Sequence, residues 1–212
     1  DTMYLTLSKR FEFSSSRQAL NRSFSDSENL RLFGPAAGGK YGHGINGVVY
    51  LIFSGPVDPV TGMMINISTV KSRVIELLSK KYDHKFLNID TPPFDSIPPT
   101  SANLAKQILD DSVPLFADLK ARPVACYLED TDRTAATAFA NGRIEEHHWL
   151  EFSAARSTRS PHLSEKENIE LFGPAASSSG HGLNYRLRVT LGGEYNSDMG
   201  TLVSYDKSHD AL

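Results

Sequence analysis

The sequence predicts an α+β fold in which an antiparallel sheet carries helices on one face. Three observations support this class. Two β-prone segments come first, two amphipathic helical segments follow, and two more β-prone segments close the first 142 residues. Of the 212 residues, 40% are hydrophobic and 22% charged, which is enough apolar material for a packed core. We therefore expect a folded domain with the unit order β-β-α-α-β-β.

The first half of this unit is predicted to contain two strands separated by a long loop. Apolar and polar residues roughly alternate over Thr2–Phe13, the pattern of a strand. Residues 14–44 are rich in Ser, Gly and Asn, which predicts a loop with a short helical turn at Glu28–Leu32. Gly47–Gly55 is strongly β-prone and predicts the second strand. Prolines and glycines then predict a turn over residues 55–62.

Two helices are predicted next. Ile67–Lys81 has a helical apolar stripe and a basic end, formed by Val70, Val74, Leu77, Leu78 and Lys81. Four prolines between residues 88 and 99 exclude helix and regular sheet there. Thr100 or Ser101 then caps a second helix that runs through Leu109.

Two strands, Val124–Glu129 and Thr134–Ala140, complete the predicted unit. Cys126, the one cysteine, lies in the first of them. A single cysteine excludes an internal disulfide and a multi-cysteine zinc site, and we interpret it as a small buried hydrophobe.

The sequence also repeats itself. Leu-Phe-Gly-Pro-Ala-Ala occurs at residues 32–37 and 171–176, an offset of 139 that also relates Phe13 to Phe152. The offset becomes 138 between His43 and His181. We infer a tandem duplication, with a first unit at residues 1–142 and the N-terminal half of a second at 145–212. The second copy is expected to stop at Leu212, inside its first helix.

Charge and hydropathy exclude several classes of partner. The net charge is −3, without the basic excess of a typical duplex nucleic-acid binder. No apolar run approaches the ~20 residues that span a bilayer. The first residues lack the basic and apolar regions of a signal peptide. We therefore expect a cytoplasmic protein with no nucleic-acid partner and no membrane partner.

Seven collinear motifs point to a known family. They lie at residues 13–16, 28–34, 43–46, 62–66, 82–88, 99–103 and 129–131. In order they read FSSS, ENLRLFG, HGIN, GMMIN, YDHKFLN, PTSAN and EDT. Together they resemble the 6-pyruvoyl-tetrahydropterin synthase / 6-carboxy-tetrahydropterin synthase family. The resemblance implies the T-fold (tunnelling fold) and self-association into a ring-shaped homo-oligomer with pockets between units.

The resemblance also implies the residues of a pterin pocket. Glu129 would grip the pterin ring, since a carboxylate can accept two adjacent N–H groups, and Thr100 and Ser101 would flank it. Asp83 and His84 would form a catalytic proton-transfer pair. For Asp83 and His84 the alternative is a structural hydrogen bond at a turn, and for Glu129 it is a solvated strand end.

The family's zinc chemistry matches poorly. Its members bind zinc with three histidines. At the first of these positions stand Arg17 and Arg156, at the second His43 and His181, and at the third Ile45 and Leu183. One imidazole per site cannot complete a zinc shell, so no cofactor is expected. Alanine stands at both positions of the family's catalytic cysteine, Ala36 and Ala175.

Arg17 and Arg156 have two interpretations. Either they are inherited changes without function, or each guanidinium supplies positive charge for an anionic ligand. In the second case the two arginines and the two retained histidines, His43 and His181, would line the ligand sites.

The function predicted from these residues is a synthase-like protein with a pocket for a pterin- or purine-like small molecule. One alternative is an active synthase that recruits other histidines to a metal. The candidates are His84, His147, His148, His162 and His209. The other alternative is a non-catalytic assembly or regulatory protein built from T-folds.

Overall fold

The computed structural model describes residues 3–210 of the chain and has the predicted α+β character. Its strands are β1 (Tyr4–Arg17), β2 (His43–Pro56), β3 (Lys85–Phe86), β4 (Arg122–Glu129), β5 (Thr134–Phe139), β6 (Ile144–Arg156) and β7 (His181–Gly192). Its helices are α1 (Asp26–Phe33), α2 (Ile67–Lys81), α3 (Leu87–Asp90), α4 (Ser101–Ser112), α5 (Glu165–Phe172) and α6 (Tyr205–Asp210). Three short 3₁₀ helices lie at Gly34–Ala37, Val113–Phe116 and Gly173–Ala176. No described helix is both long enough and apolar enough to cross a membrane.

The strands form one sheet with the order β3-β1-β2-β4-β5-β6-β7. The ladder between β1 and β2 is antiparallel and long, from Tyr4 opposite Pro56 to Arg17 opposite His43. The pairs β2–β4, β4–β5 and β5–β6 are also antiparallel, whereas the two-residue strand β3 runs parallel to β1. Because β2 lies between β1 and β4 and is antiparallel to both, the C-terminal ends of β1 and β4 lie at the same edge of the sheet, near the start of β2.

The chain divides into two compact units. The first contains the residues up to His148 together with those from Thr190 onward. The second is Trp149–Val189, which comprises the outer parts of β6 and β7, helix α5 and its 3₁₀ turn. The tandem boundaries at 142 and 145 remain a prediction, and Leu212, where the second copy was expected to stop, lies outside the described residues.

The core of the first unit lies between one face of the sheet and helices α2 and α4. The apolar stripe of α2, from Val70 to Leu78, packs in one cluster with Leu51 of β2 and Leu128 of β4. Burying each such side chain stabilises the fold by about 1.5–3 kcal/mol. Cys126 lies fully buried in the same cluster, and burial raises the pKa of its thiol. The face opposite the helices carries the polar and aromatic side chains of β4.

The structure confirms both long helices. Helix α2 spans the predicted residues. Thr100, one of the two predicted caps, caps α4 by accepting the N–H of Asn103, and α4 runs to Ser112 rather than ending at Leu109. The predicted loop after β1 is too long, because β1 continues to Arg17 and β2 already begins at His43. The main chains of Ser14–Ser16 pair although their side chains are polar, since ladder hydrogen bonds do not depend on side-chain character.

Two smaller predictions need correction, and a third concerns a residue outside the described range. Residues 88–90 belong to the single-turn helix α3, so the exclusion of helix from 88 to 99 is wrong at its start. This turn ends before Pro92, the first of the four prolines, and the Phe86 N–H donates to Asp90 Oδ2 at 2.8 Å. The helical turn predicted at Glu28–Leu32 is the longer helix α1. Thr2, the predicted first residue of β1, lies outside the described residues.

Candidate ligand site at the start of helix α4

A buried ion pair joins the end of β1 to the end of β4. Arg17 donates through Nη2 to the Asp130 carboxylate and through Nη1 to the Pro99 carbonyl, the latter at 2.6 Å. The side chains of Arg17 and Asp130 are only 10% and 3% exposed, respectively. Because neither charge is well solvated, each depends on the other, and removing one partner of such a pair is strongly destabilising.

Two hydroxyl groups complete the surroundings of Asp130. Thr134 Oγ1 donates to Asp130 Oδ1 at 2.7 Å, and the Ser101 side chain also hydrogen-bonds to this carboxylate. Burial alone would raise the pKa of Asp130. The positive charge of Arg17 and the hydrogen bonds from Ser101 and Thr134 outweigh burial and hold that pKa below its usual value. Asp130 is therefore an ionised carboxylate in the interior.

The start of α4 supplies further polar groups next to this carboxylate. Thr100 caps the helix, and its hydroxyl donates to the Gly200 carbonyl. Asn103 is buried, and its Nδ2 donates to the Pro98 carbonyl at 2.9 Å and to the Ser197 carbonyl at 2.8 Å. Ser101, the first residue of α4, contacts the Asp130 carboxylate, and Thr100 is its neighbour in sequence. We call Arg17, Thr100, Ser101 and Asp130 the α4 cluster.

Glu129 does not belong to the α4 cluster. Alternation along β4 directs Leu128 and Asp130 towards the helices and directs Glu129 to the opposite face of the sheet. There Glu129 Oε1 accepts a hydrogen bond from the Tyr127 hydroxyl at 2.8 Å. The role of Glu129 as a pterin-binding carboxylate remains a prediction.

Asp130 is the functional candidate that sequence reasoning missed. The signal was available, because a strand that buries Cys126 and Leu128 must also turn residue 130 inward. The family resemblance assigns the carboxylate role to Glu129, and that assignment stays a prediction. The period of the strand indicates only that the Asp130 side chain is buried on the other face of the sheet.

Asp83 and His84 lie at the turn after α2. The Ser14 N–H donates to Asp83 Oδ1 at 2.9 Å, and His84 Nδ1 lies 2.8 Å from Asp83 Oδ2. The Ser14 N–H is the main cause that holds the pKa of Asp83 below its usual value, and the His84 side chain lowers it further. The imidazole is 84% exposed, and the backbone of His84 has a positive φ of 56°. This geometry ties the turn to β1, while a role in proton transfer remains a prediction.

His43 is the cross-strand neighbour of Arg17. Its Nε2 lies 2.9 Å from the Pro35 carbonyl and 3.1 Å from the Gly38 carbonyl. Since carbonyl oxygens only accept, this nitrogen must carry the proton and donate. Ile45, two residues further along β2, is buried in the core. Within residues 3–210 no three His, Cys, Asp or Glu side chains are grouped so that they could hold a metal ion.

The second unit holds the corresponding pair from the second copy. Arg156 ends β6 with an exposed side chain, and His181 begins β7. The His181 Nδ1 is buried and has no hydrogen-bond partner among the described residues. A ligand-binding role for either residue remains a prediction.

The antiparallel sheet, the helices on one face and the order of elements define an α+β protein of the T-fold class, as the sequence predicted. The family model described as 6-pyruvoyl tetrahydropterin synthase matches residues 6–140. The chain therefore belongs to the 6-pyruvoyl tetrahydropterin synthase family.

Individual relatives agree with this assignment. The chain is 37% identical over 105 residues to 6-pyruvoyl tetrahydrobiopterin synthase of Homo sapiens, which covers 50% of this chain and 72% of the relative. It is 33% identical over 112 residues to that of Dictyostelium discoideum, covering 53% of this chain and 81% of the relative. The solved structure of Caenorhabditis elegans 6-pyruvoyl tetrahydropterin synthase superimposes with a TM-score of 0.59 at 25% identity. That superposition covers 66% of this chain and 97% of the other.

Proposed function

We propose that this chain binds a pterin- or purine-like heterocycle at the α4 cluster and does not carry out zinc-dependent lyase chemistry. The observation that carries the proposal is the buried carboxylate of Asp130, which is paired with Arg17 and accepts hydrogen bonds from the hydroxyl groups of Ser101 and Thr134. A carboxylate in this setting suits a ligand edge that presents N–H donors side by side, as a 2-aminopyrimidinone ring does.

Arg17 supports this chemistry by its own contacts. Its two terminal nitrogens donate to the Asp130 carboxylate and the Pro99 carbonyl. The amino group and ring N–H of a pterin or a guanine are a similar pair of neighbouring donors. We therefore propose that the ligand takes the place of the Arg17 guanidinium when it binds. The other interpretation, in which Arg17 attracts an anionic ligand, predicts the opposite response to its removal.

The residues at the positions that the family resemblance assigns to zinc do not fit that metal. The Arg17 guanidinium is always charged and is already paired with Asp130. The His43 Nε2 donates its proton to backbone carbonyls, so only its Nδ1 could offer a lone pair, and one imidazole cannot complete a zinc shell. Ile45 offers no donor atom. Ala36, which stands in place of the family's cysteine, likewise supplies no thiol for catalysis.

The experiment compares Asp130→Asn with Glu129→Gln, because the two carboxylates are sequence neighbours on opposite faces of the sheet. Binding of free pterin and of guanosine is titrated by fluorescence and calorimetry. We expect Asp130→Asn to weaken pterin binding by roughly tenfold or more, equivalent to about 1.4 kcal/mol, and Glu129→Gln to leave it within about twofold. The reverse result would assign the ligand to Glu129 and overturn the α4 cluster as the site.

Arg17→Ala separates the two interpretations of the arginine. If the ligand displaces the guanidinium, the variant binds pterin more tightly than the unchanged protein. If Arg17 attracts the ligand, the variant binds anionic pterins more weakly. Zinc analysis of the purified protein tests the rival of an active synthase, and near-stoichiometric zinc would contradict our proposal.

We also propose that the protein self-associates through its T-fold units. Support comes from exposed apolar side chains around the start of α2: Val60, which is 90% exposed, and Met63 in the preceding turn, and Ile67 in the first turn of the helix. Light scattering coupled to size exclusion measures the assembly directly. Ring assembly without any binding of pterin or guanosine would favour the alternative of a purely structural T-fold protein.

A further inference from the structure

A segment late in the chain covers the start of α4. Residues 193–204, which we call the strap, accept hydrogen bonds from the α4 cluster and its neighbour Asn103. The Thr100 hydroxyl donates to the Gly200 carbonyl, and Asn103 Nδ2 donates to the Ser197 carbonyl at 2.8 Å. The Tyr195 hydroxyl in turn donates to Asn103 Oδ1 at 2.6 Å. The polar groups at the helix start are thus satisfied by the strap.

A buried carboxylate holds the far end of the strap. Glu146 of β6 accepts the Leu202 N–H at 2.9 Å and the Thr201 hydroxyl at 3.2 Å. At the other side, Asn21 Nδ2 donates to the Asp198 carbonyl at 2.9 Å. These contacts anchor the strap on both sides of Gly200.

Gly200 packs closely against Pro98, Thr100 and Asn103 because it lacks a side chain. A Cβ at Gly200 would lie 2.6 Å from Pro98 Cγ and 3.1 Å from both Asn103 Nδ2 and Thr100 Cγ2. The residue also has a φ of 67°, which favours glycine. A larger residue at this position requires either the strap or the neighbouring side chains of Pro98, Asn103 and Thr100 to shift.

The equivalent turn of the first copy has the same local structure, but its glycine is not packed closely against neighbouring side chains. In the strap, the Gly200 N–H donates to the Asn196 carbonyl at 2.9 Å. In residues 55–66, the Gly62 N–H donates to the Asp58 carbonyl at 2.8 Å, and Gly62 has a φ of 68°. A Cβ on Gly62 would meet nothing within 4 Å. The turn therefore holds its shape by its own hydrogen bonds, and the strap can leave its seat as a preformed unit.

We propose that the strap is a gate for the ligand site. When it is seated, it occupies the Thr100 hydroxyl and the Asn103 amide, and when it lifts, these groups become available to a heterocyclic ligand. The gate rests on the proposed function, because it controls access to the same α4 cluster. The apparent affinity for a ligand is proportional to the fraction of molecules whose strap is open, so a strap that is mostly closed weakens binding.

Gly200→Ala tests the gate, with Gly62→Ala as its matched control. Both substitutions place alanine at nearly the same positive φ, but only the first meets neighbouring atoms. Hydrogen exchange of the peptide covering residues 193–204 reports release of the strap, and pterin titration reports binding. We expect Gly200→Ala to speed exchange of the strap and to tighten pterin binding several-fold. Gly62→Ala should change neither quantity.

The outcomes separate the gate from the proposed function. Faster exchange in Gly200→Ala with unchanged pterin affinity would overturn the gate and leave the binding site standing. Absence of pterin binding in every variant would overturn both. If Gly200→Ala does not fold, Tyr195→Phe removes one anchoring hydrogen bond while keeping the ring. Exchange that is no faster in Tyr195→Phe would overturn the gate as well.

Discussion

The β1–β2 ribbon and the outer part of the β6–β7 ribbon share sequence motifs but have different surroundings. Phe13 of the first ribbon is 3% exposed, whereas Phe152, its repeat equivalent, is 52% exposed. The Phe152 ring stacks on the Tyr185 ring, with 5.1 Å between the ring centroids. In the first unit α2 and α4 cover the sheet face, and Trp149–Val189 contains no equivalent of these helices. The shared motif therefore determines that a strand forms, whereas the burial of its side chains depends on which helices pack against the sheet.

The loops that follow β1 and β6 have the same local hydrogen bonds. The Asn21 N–H donates to Asn29 Oδ1 at 2.8 Å, and the Ser160 N–H donates to Asn168 Oδ1 at 2.7 Å. Helices α1 and α5 both follow a serine N-cap and lead into a Gly-Pro-Ala-Ala 3₁₀ turn. Local hydrogen bonds of this kind need no support from distant residues, so they persist in both units.

The largest expected difference concerns the two phenylalanines. Phe13→Ala removes a fully packed ring and should lower the free energy of unfolding by about 4 kcal/mol. Phe152→Ala removes a half-exposed ring and should cost about 1 kcal/mol or less. Urea unfolding of both variants measures the two values. Equal losses would mean that Phe152 is buried in solution, and the contrast between the ribbons would be wrong.

Arg17 and its repeat equivalent Arg156 differ in burial and in electrostatic surroundings. Arg17→Ala leaves the buried Asp130 carboxylate without its partner and should cost about 3 kcal/mol of stability. Arg156 is exposed, so Arg156→Ala should change stability by less than about 0.5 kcal/mol. Thermal and urea unfolding give the values. A substantial loss in Arg156→Ala would show that its guanidinium has a structural partner.

The pH dependence of stability tests Asp130 directly. Its pKa in the folded chain lies below its usual value, so its ionisation stabilises the fold above the unfolded pKa of about 3.9. This contribution is lost as the pH falls through the folded pKa. Asp130→Asn lacks it, so the stability gap between the unchanged protein and the variant should narrow between pH 7 and pH 3. A gap that stays constant over this range would contradict an ionised Asp130.

Much of the fold could be predicted from sequence, because its elements depend on local patterns. The apolar stripe of α2 predicted its correct bounds, and the hydroxyl-bearing pair Thr100-Ser101 predicted the start of α4. The length of β1 could not be predicted, since the pairing of Ser14–Ser16 depends on a partner strand about 30 residues later. The hydrogen bond from Thr100 to Gly200 could not be predicted either. It joins residues 100 positions apart, and neither segment carries a sequence pattern that indicates the contact.

The smallest expected effects come from the two serine caps. Ser25 Oγ accepts the Glu28 N–H, and Ser164 forms a full capping box with Glu167. Replacing either serine by alanine should cost about 1 kcal/mol of local helix stability. Leu32 anchors α1 at 2% exposure, whereas its equivalent Leu171 is 66% exposed.

Packing should therefore hold α1 together after Ser25→Ala, while α5 should fray after Ser164→Ala. Hydrogen exchange of the two helices distinguishes these responses, and Ser→Thr at each site, which keeps the hydroxyl, serves as the control. Equal fraying of both helices would indicate that caps rather than packing hold α1. The difference between the units would then begin at the sheet and not at the helix that follows its first strand.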